Sequence, residues 1–289
     1  MKNNIINSIE YKKYNSSYEK KVIDIFVEAF KNYPLFEIVK DDFKTEERFH
    51  KFYNSFMKSL FKATIRKNEC YIGLNDGMVI DLIIIDAPTD KTVGFLDYIL
   101  CGGIKPILKL GLFNALKYLR LSDETEIVVK SIKEPRWHLY FLVVDPKYQG
   151  VGVGSDAIKK FLIPFVKEKN GKLITVTTNA KHNLNFYTNN GFSLIKEETL
   201  KYKDRTTNNW SFRMDLWCYT NFISYCVYYQ IRKVDILCAI QDVFFIYFQN
   251  DYLAYFIYLW YHYKNERRKK RLWKLKNILL KTSYLLFFW

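Results

Sequence analysis

The segment with most chemical content runs Leu142-Val143-Val144-Asp145-Pro146-Lys147-Tyr148-Gln149-Gly150-Val151-Gly152-Val153-Gly154-Ser155. An apolar run ends at Asp145-Pro146, a turn follows, and glycines alternate into a helix start. Glycine lets backbone approach a ligand closely, and the first N–H groups of a helix have no partner within it. Such a turn suits a phosphate or pyrophosphate. No Gly-Lys-Ser/Thr follows, which excludes a P-loop, and the spacing Gln149-Gly150-x-Gly152-x-Gly154 departs from the G-x-G-x-x-G of dinucleotide-binding turns. Downstream, Asn183 and Tyr187 are four apart and share one face of a short helix. His138 lies on the apolar run itself, and an imidazole with an intrinsic pKa of about 6.5 suits proton transfer. A buried, hydrogen-bonded structural histidine fits the same position. Asp86, at the end of an earlier strand, is a second candidate base. His50, His182 and His262 have no metal-ligand spacing, so no metal is expected.

The stretch from Gln149 to Gly154 resembles the acyl-CoA pyrophosphate loop, Q/R-x-x-G-x-G/A, of the GNAT N-acetyltransferase superfamily. Asn183, Phe186-Tyr187 and Gly191-Phe192 resemble that family's N-x-x-(x)-F-Y-x-x-x-G-F element. The two blocks keep the family's order, with a helix and a strand between them, and the resemblance covers roughly residues 10–217. The helices leading into Tyr33-Pro34-Leu35-Phe36, with Trp137-His138-Leu139 ahead of the loop, look most like the puromycin-N-acetyltransferase-like subgroup.

The resemblance implies an α/β, GNAT-like fold: a mixed, mostly antiparallel sheet flanked by helices. It also implies transfer of an acetyl group from acetyl-CoA to an amine of a small molecule, directly, in a ternary complex. Backbone at Leu142 and Val144 would bind pantetheine and thioester. Main-chain N–H groups of Gln149, Gly150, Val151, Gly152, Gly154 and Ser155 would cradle the pyrophosphate, and Asn183 would touch the CoA arm. Tyr187 would protonate the departing thiolate, with His138 as candidate base. One stretch departs from the family pattern: Thr175 to Asn179 is threonine-rich where an apolar strand and an acid- or Gln-containing turn are expected, which puts the family's acceptor pocket in doubt for this chain.

The elements that must position these residues follow from periodicity. Ser16 to Glu19 has capping-box spacing, opening a helix with Val22, Phe26, Ala29 and Phe30 on one face. Phe49, Phe52, Tyr53, Phe56, Met57, Leu60 and Phe61 mark a second helix. Residues 70–74 and 78–85 flank Asn75-Asp76-Gly77 as a hairpin. Residues 103–121 read as one amphipathic helix, with Ile107, Leu108, Leu110, Leu112, Phe113, Leu116 and Leu119 as its apolar face, and Glu124 to Lys133 as a possible further helix. Strands follow at Trp137 to Val144 and Leu173 to Thr178, the cofactor lying in a cleft between them. A helix from Gly152 to Lys167, kinked at Pro164, joins these strands. A short helix over Lys181 to Asn190 and a closing strand pair, 192–202 and 209–217, complete a six-stranded sheet. The long insertion at 95–134 should cover a pocket for a small amine.

The remainder is set apart by composition. Of 289 residues, 49% are hydrophobic and 26% charged, which excludes wholesale disorder. Residues 218–289 form an aromatic-rich, basic extension after a domain at 1–217. From 217 onward there are 11 Lys/Arg against 4 Asp/Glu and 22 aromatics. Its longest uncharged runs, 217–231 and 252–263, fall short of the ~20 apolar residues of a spanning helix. The stretch Lys264–Lys281 is expected to allow peripheral contact with an anionic membrane. Nucleic acid is the weaker partner, since no recognised module is present, and the oligomeric state is open. Five cysteines without a C-x-x-C pair fit a reducing compartment. With no apolar h-region after Met1, a cytoplasmic enzyme, with or without membrane association, is expected. A rival reading keeps the fold but not the chemistry: an inactive CoA-binding scaffold held to a membrane or partner by the extension.

Overall fold

The long apolar stripe of residues 46–65 dictates the first packing layer. Glu46–Ile65 is one helix, begun by Thr45, whose hydroxyl accepts the Arg48 N–H at 3.3 Å, with Glu46 and Glu47 in its first turn. The computed structural model describes residues 9–88 and 93–216. Within them a seven-stranded sheet runs in the order β1-β2-β3-β4-β5-β7-β6: Glu10–Lys13 (β1), Glu69–Asn75 (β2), Met78–Asp86 (β3), Trp137–Val144 (β4), Leu173–Thr178 (β5), Ser193–Tyr202 (β6) and Arg205–Asp215 (β7). Every neighbouring pair is antiparallel except β4 and β5. The β2–β3 turn places Asp76 and Gly77 at positive φ, as a tight hairpin requires.

Side chains alternate across the sheet and feed two cores. Leu82 and Ile84 of β3 face a layer built by helices Glu19–Ala29 (α1) and Glu46–Ile65 (α2), while Ile83 and Ile85 face the other layer. That second layer holds the helical run that starts at Val153–Asp156, passes through a π-turn at Ala157–Leu162 and ends at Ile163–Glu168. The short helix Asn183–Asn189 packs there too, through Tyr187.

Five local expectations are corrected. Glu10–Lys13 is an edge strand on β2, so there are seven strands rather than six. The capping box at Ser16 is not formed: Asn15 caps a single turn at Ser16–Tyr18, and α1 starts at Glu19 with no side-chain cap. The predicted helix over 103–121 is two helices, Ile104–Leu110 (α3) and Leu112–Glu124 (α4), bent by 118° around Gly111 at φ +86°. Its predicted apolar face is mostly outside: Pro106, Leu110, Ala115, Tyr118 and Leu121 are buried, while Leu108, Leu112, Phe113 and Leu116 are exposed. Pro164 begins a regular segment, and the irregularity is the π-turn before it.

Candidate active site

Two parallel strands that part company make the cleft. β4 pairs with β5 only from Trp137 to Leu139, opposite Ile174 to Val176. Beyond Leu139, β4 keeps its pairing with β3 as far as Val144, and its other edge is left without β5. Backbone donors and acceptors along residues 140–144 are thereby available to an extended ligand.

The loop after β4 closes one end of this cleft. Asp145 anchors it three ways: its N–H donates to Ile80 (2.8 Å), its carboxylate accepts the Lys147 N–H (3.1 Å), and Lys21 of α1 pairs with it at 3.0 Å. Gly150 and Gly152 then adopt φ of +73° and +95°, left-handed conformations that favour glycine. Gly154 has a different reason to be glycine, because a Cβ there would sit 3.1 Å from the Phe186 ring. A cleft of about 430 Å³ results, lined by Leu142, Val144, Gln149, Gly150, Gly152, Gly154, Ser155, Asn183 and Tyr187, with Tyr148, Val153, His182 and Phe186. Val151 alone of the expected cofactor residues does not line it. Several side chains already have partners. Gln149 donates to the Val144 carbonyl (3.1 Å), Ser155 accepts from Asn190 (3.0 Å), and Asn183 donates to Thr178 (2.9 Å).

Behind the cleft lies a second chamber, somewhat more enclosed, with nine Phe and Tyr side chains in its lining. Phe30, Tyr33, Phe36 and Phe56 come from the first helical layer, Tyr98, Tyr118 and Leu119 from the insertion, and His138, Tyr140 and Phe141 from β4. Its polar groups include Thr178, Asn179 and Glu126. Leu142, Asn183 and Tyr187 belong to both spaces, so the two meet at these residues. The Thr-rich end of β5 is put to use here: the Tyr33 hydroxyl contacts Thr178 Oγ1 (3.1 Å) and accepts the Asn179 N–H (2.7 Å). Tyr33, noted in the sequence only for the subgroup likeness of Tyr33-Pro34-Leu35-Phe36, thus braces the junction. Glu126 is a residue that sequence patterns did not reveal. It pairs with Lys130 at 2.8 Å, and Tyr140 hydrogen-bonds to it. A lone carboxylate after a helix gives no spacing signal by which to find it.

Burial sets the protonation of the two expected catalytic residues. It pushes the Tyr187 phenol well above its ordinary pKa, so the hydroxyl is protonated at neutral pH. Burial also lowers His138 to about 4, with Arg136 and Lys130 adding to the shift and Glu126 opposing it. His138 is therefore neutral at pH 7, and its Nδ1 lies 2.9 Å from Thr175 Oγ1 on β5. It faces the aromatic chamber rather than the glycine-lined cleft. Among the described residues no group of three or more His, Cys, Asp or Glu could hold a metal ion.

The sequence profile described as "Acetyltransferase (GNAT) family" matches residues 33–192, a span that includes both the glycine loop and Asn183 to Phe192. Solved structures similar to the chain include a GCN5-related N-acetyltransferase from Rhodopseudomonas palustris, at 15% identity over 72% of this chain and 96% of that one (TM-score 0.44). The Drosophila melanogaster polyamine N-acetyltransferase matches at 13% identity over 72% and 100% of the two chains (TM-score 0.46). A GNAT acetyltransferase from Elizabethkingia anophelis, solved with acetyl-CoA bound, matches at 13% over 73% and 99% (TM-score 0.40). No curated protein matches the sequence.

Proposed function

Because the chain belongs to the GNAT acetyltransferase family, we propose that it moves an acetyl group from acetyl-CoA to an amine of a small molecule, by direct transfer within a ternary complex. The observation that carries this reading is the meeting of two unlike spaces at Leu142, Asn183 and Tyr187. One is an open cleft of free strand edge and glycine backbone, suited to the long polar arm and phosphates of CoA. The other is a partly enclosed chamber of aromatic and polar side chains that includes a carboxylate, suited to a small amine. An inactive scaffold would need the first space but not the second. Only one helix, α1, leads into Tyr33-Pro34-Leu35-Phe36, not the paired helices expected, so a place beside the puromycin-N-acetyltransferase-like members rests on that stretch and on Trp137-His138-Leu139.

Acetyl-CoA supplies the activated carbonyl, and this chain's residues do the rest. The unpaired edge of β4 from Tyr140 to Val144 orients the thioester. Backbone N–H groups from Gln149 to Ser155 hold the phosphates, aided by the N-terminal end of the helical run. Aromatic walls exclude water and hold the amine near the thioester, which converts an encounter into a unimolecular step. A bond forms from amine nitrogen to carbonyl carbon as the carbon–sulfur bond breaks. Tyr187, protonated at neutral pH, gives its hydroxyl proton to the sulfur as the thiolate leaves; burial raises its pKa and so sets a cost on this step rather than aiding it. The proton lost by the amine passes to neutral His138 or, through the chamber, to solvent.

The test uses the full chain. Acetyl-CoA at 100 times its dissociation constant should stabilise the fold by about 2.7 kcal/mol, read as a rise in Tm. A Cβ at Gly150 would meet no atom within 4 Å, but any side chain at φ +73° is strained, so Gly150→Asp adds repulsive charge at some cost in stability, and its own ligand-free Tm is the reference. The rise should disappear in that variant, and mass spectrometry should show an acetylated amine with wild type. A folded wild type with no rise in Tm would refute the reading.

A further inference from the structure

Most of the large apolar side chains left in water belong to the insertion, not to the catalytic domain at large. Among the described residues twelve large hydrophobics are exposed, and eight of them lie between Phe95 and Leu116. They are ordered: Leu96, Leu100, Ile104 and Leu108 recur every four residues, and Leu112 and Leu116 continue the series past the bend at Gly111. Leu96 and Leu108 are each 74% exposed and Phe113 is 70% exposed. Singly exposed leucines need no explanation, but a contiguous stripe marks a contact surface.

Charge says what that surface would meet. Residues 104–121 carry Lys105, Lys109, Lys117 and Arg120 and no Asp or Glu. Asp123 and Glu124 follow at the end of α4, where Glu124 pairs with Arg120 at 3.0 Å, which leaves the three lysines as the cations of the face. Three of the cations directly follow a stripe residue, as Ile104-Lys105, Leu108-Lys109 and Leu116-Lys117, and all four are exposed. Lys109 also reaches back to the Lys51 carbonyl (2.8 Å), and Lys117 lies over the Phe113 ring at 4.4 Å. Aliphatic and aromatic side chains interleaved with cations are the composition of a helix that lies in the headgroup region of an anionic bilayer. Neither helix alone is long enough to span. α3 has 7 residues and α4 has 13, against ~20 needed to cross. They are bent by 118°, and their opposite faces are fixed in the protein core by Leu110, Ala115, Tyr118 and Leu121.

We propose that the exposed face of α3 and α4 docks the enzyme on an anionic lipid surface, with Leu108, Leu112, Phe113 and Leu116 in the acyl boundary and the neighbouring lysines at the headgroups. Tyr118 and Leu119 of α4 line the aromatic chamber, so docking sets the wall of that chamber beside the membrane. The proposal does not depend on acetyl transfer.

Co-sedimentation of the full chain with vesicles tests it. Wild type should sediment with phosphatidylserine-containing vesicles and far less with phosphatidylcholine alone. Leu108→Asp with Phe113→Asp should weaken partitioning by at least about tenfold. Lys105→Glu with Lys117→Glu should reduce the preference for the anionic vesicles, measured against a chain in which the basic residues of 264–281 are likewise replaced. All four positions are exposed, so Tm and circular dichroism should be unchanged. The proposal is overturned if wild type stays in the supernatant, or if the Leu108/Phe113 variant sediments as wild type does. It is equally overturned if the apolar variant only relieves self-association in solution, which would give the face to a second copy.

Discussion

On the cleft side of Tyr187 the wall is largely backbone: a strand edge released by β5, then a loop whose glycines stand at positive φ. On the chamber side the wall is side chains, drawn from α1, α2, the insertion, β4 and the end of β5. A site made of backbone constrains residue type at fixed spacing, because only glycine tolerates those conformations or, at Gly154, the nearness of Phe186. A site made of side chains needs only that distant elements converge. The first leaves a motif in the sequence and the second does not.

Breaking the contrast at the shared residue should have the largest effect. Tyr187→Phe removes the proton donor to sulfur and should lower kcat by about 10²–10⁴-fold, with the acetyl-CoA dissociation constant held within a factor of about three by the unchanged ring packing. Steady-state thiol release and a binding titration on one preparation would check both. Next in size is Gly150→Asp. It puts a carboxylate beside the phosphates and should raise KM for acetyl-CoA by about 10–100-fold, leaving KM for the amine unchanged. Glu126→Gln is the mirror experiment. It should raise KM for a cationic amine by about tenfold and spare acetyl-CoA. If both variants shift both constants together, the two spaces are not separate sites.

The smallest effect concerns pH, and here two buried groups act in opposite directions. His138 has its pKa depressed from 6.5 to about 4, so the unfolded chain binds more protons between these values. Its contribution to stability therefore rises with pH across that window. Asp81 of β3, buried against Tyr11 and Asp156, is raised from 3.8 to about 7, so the folded chain binds more protons and the contribution falls as pH rises. Relative to wild type, His138→Gln should flatten or invert the climb from pH 4 to 6.5, and Asp81→Asn should steepen it. Each change is on the order of 1–2 kcal/mol after discounting the full shifts. Denaturant titrations at three pH values would reveal it, and parallel profiles for all three proteins would rule it out.

What the sequence made legible follows the same division. The family, the glycine loop, the Asn183–Tyr187 face and the hairpin at Asp76-Gly77 all rest on local chemistry that one stretch of chain displays. β1 was not visible because Glu10-Tyr11-Lys12-Lys13 has no apolar alternation; as an edge strand it needs none, and only Tyr11 turns inward enough to reach Asp81 (3.2 Å). The helix over 103–121 had a readable period but an unreadable direction. Gly111 breaks it and resets the face, so part of the stripe that looked like core is exposed. Glu126 gave no signal and Tyr33 gave none of its bracing role, since their partners Tyr140 and Thr178 lie on strands that only folding brings near. The basic stretch Lys264–Lys281 and its expected membrane contact lie outside the described residues.

The central claim is that a thioester and an amine meet at Tyr187. The most direct measurement is amine-dependent release of free thiol from acetyl-CoA by the full chain, with Tyr187 present and with Tyr187→Phe. The account predicts release by wild type only when an amine is added, and a rate at least about a hundredfold lower in the variant, while acetyl-CoA still raises the Tm of both. Equal rates in the two proteins, or no release with any amine although acetyl-CoA binds, would contradict it.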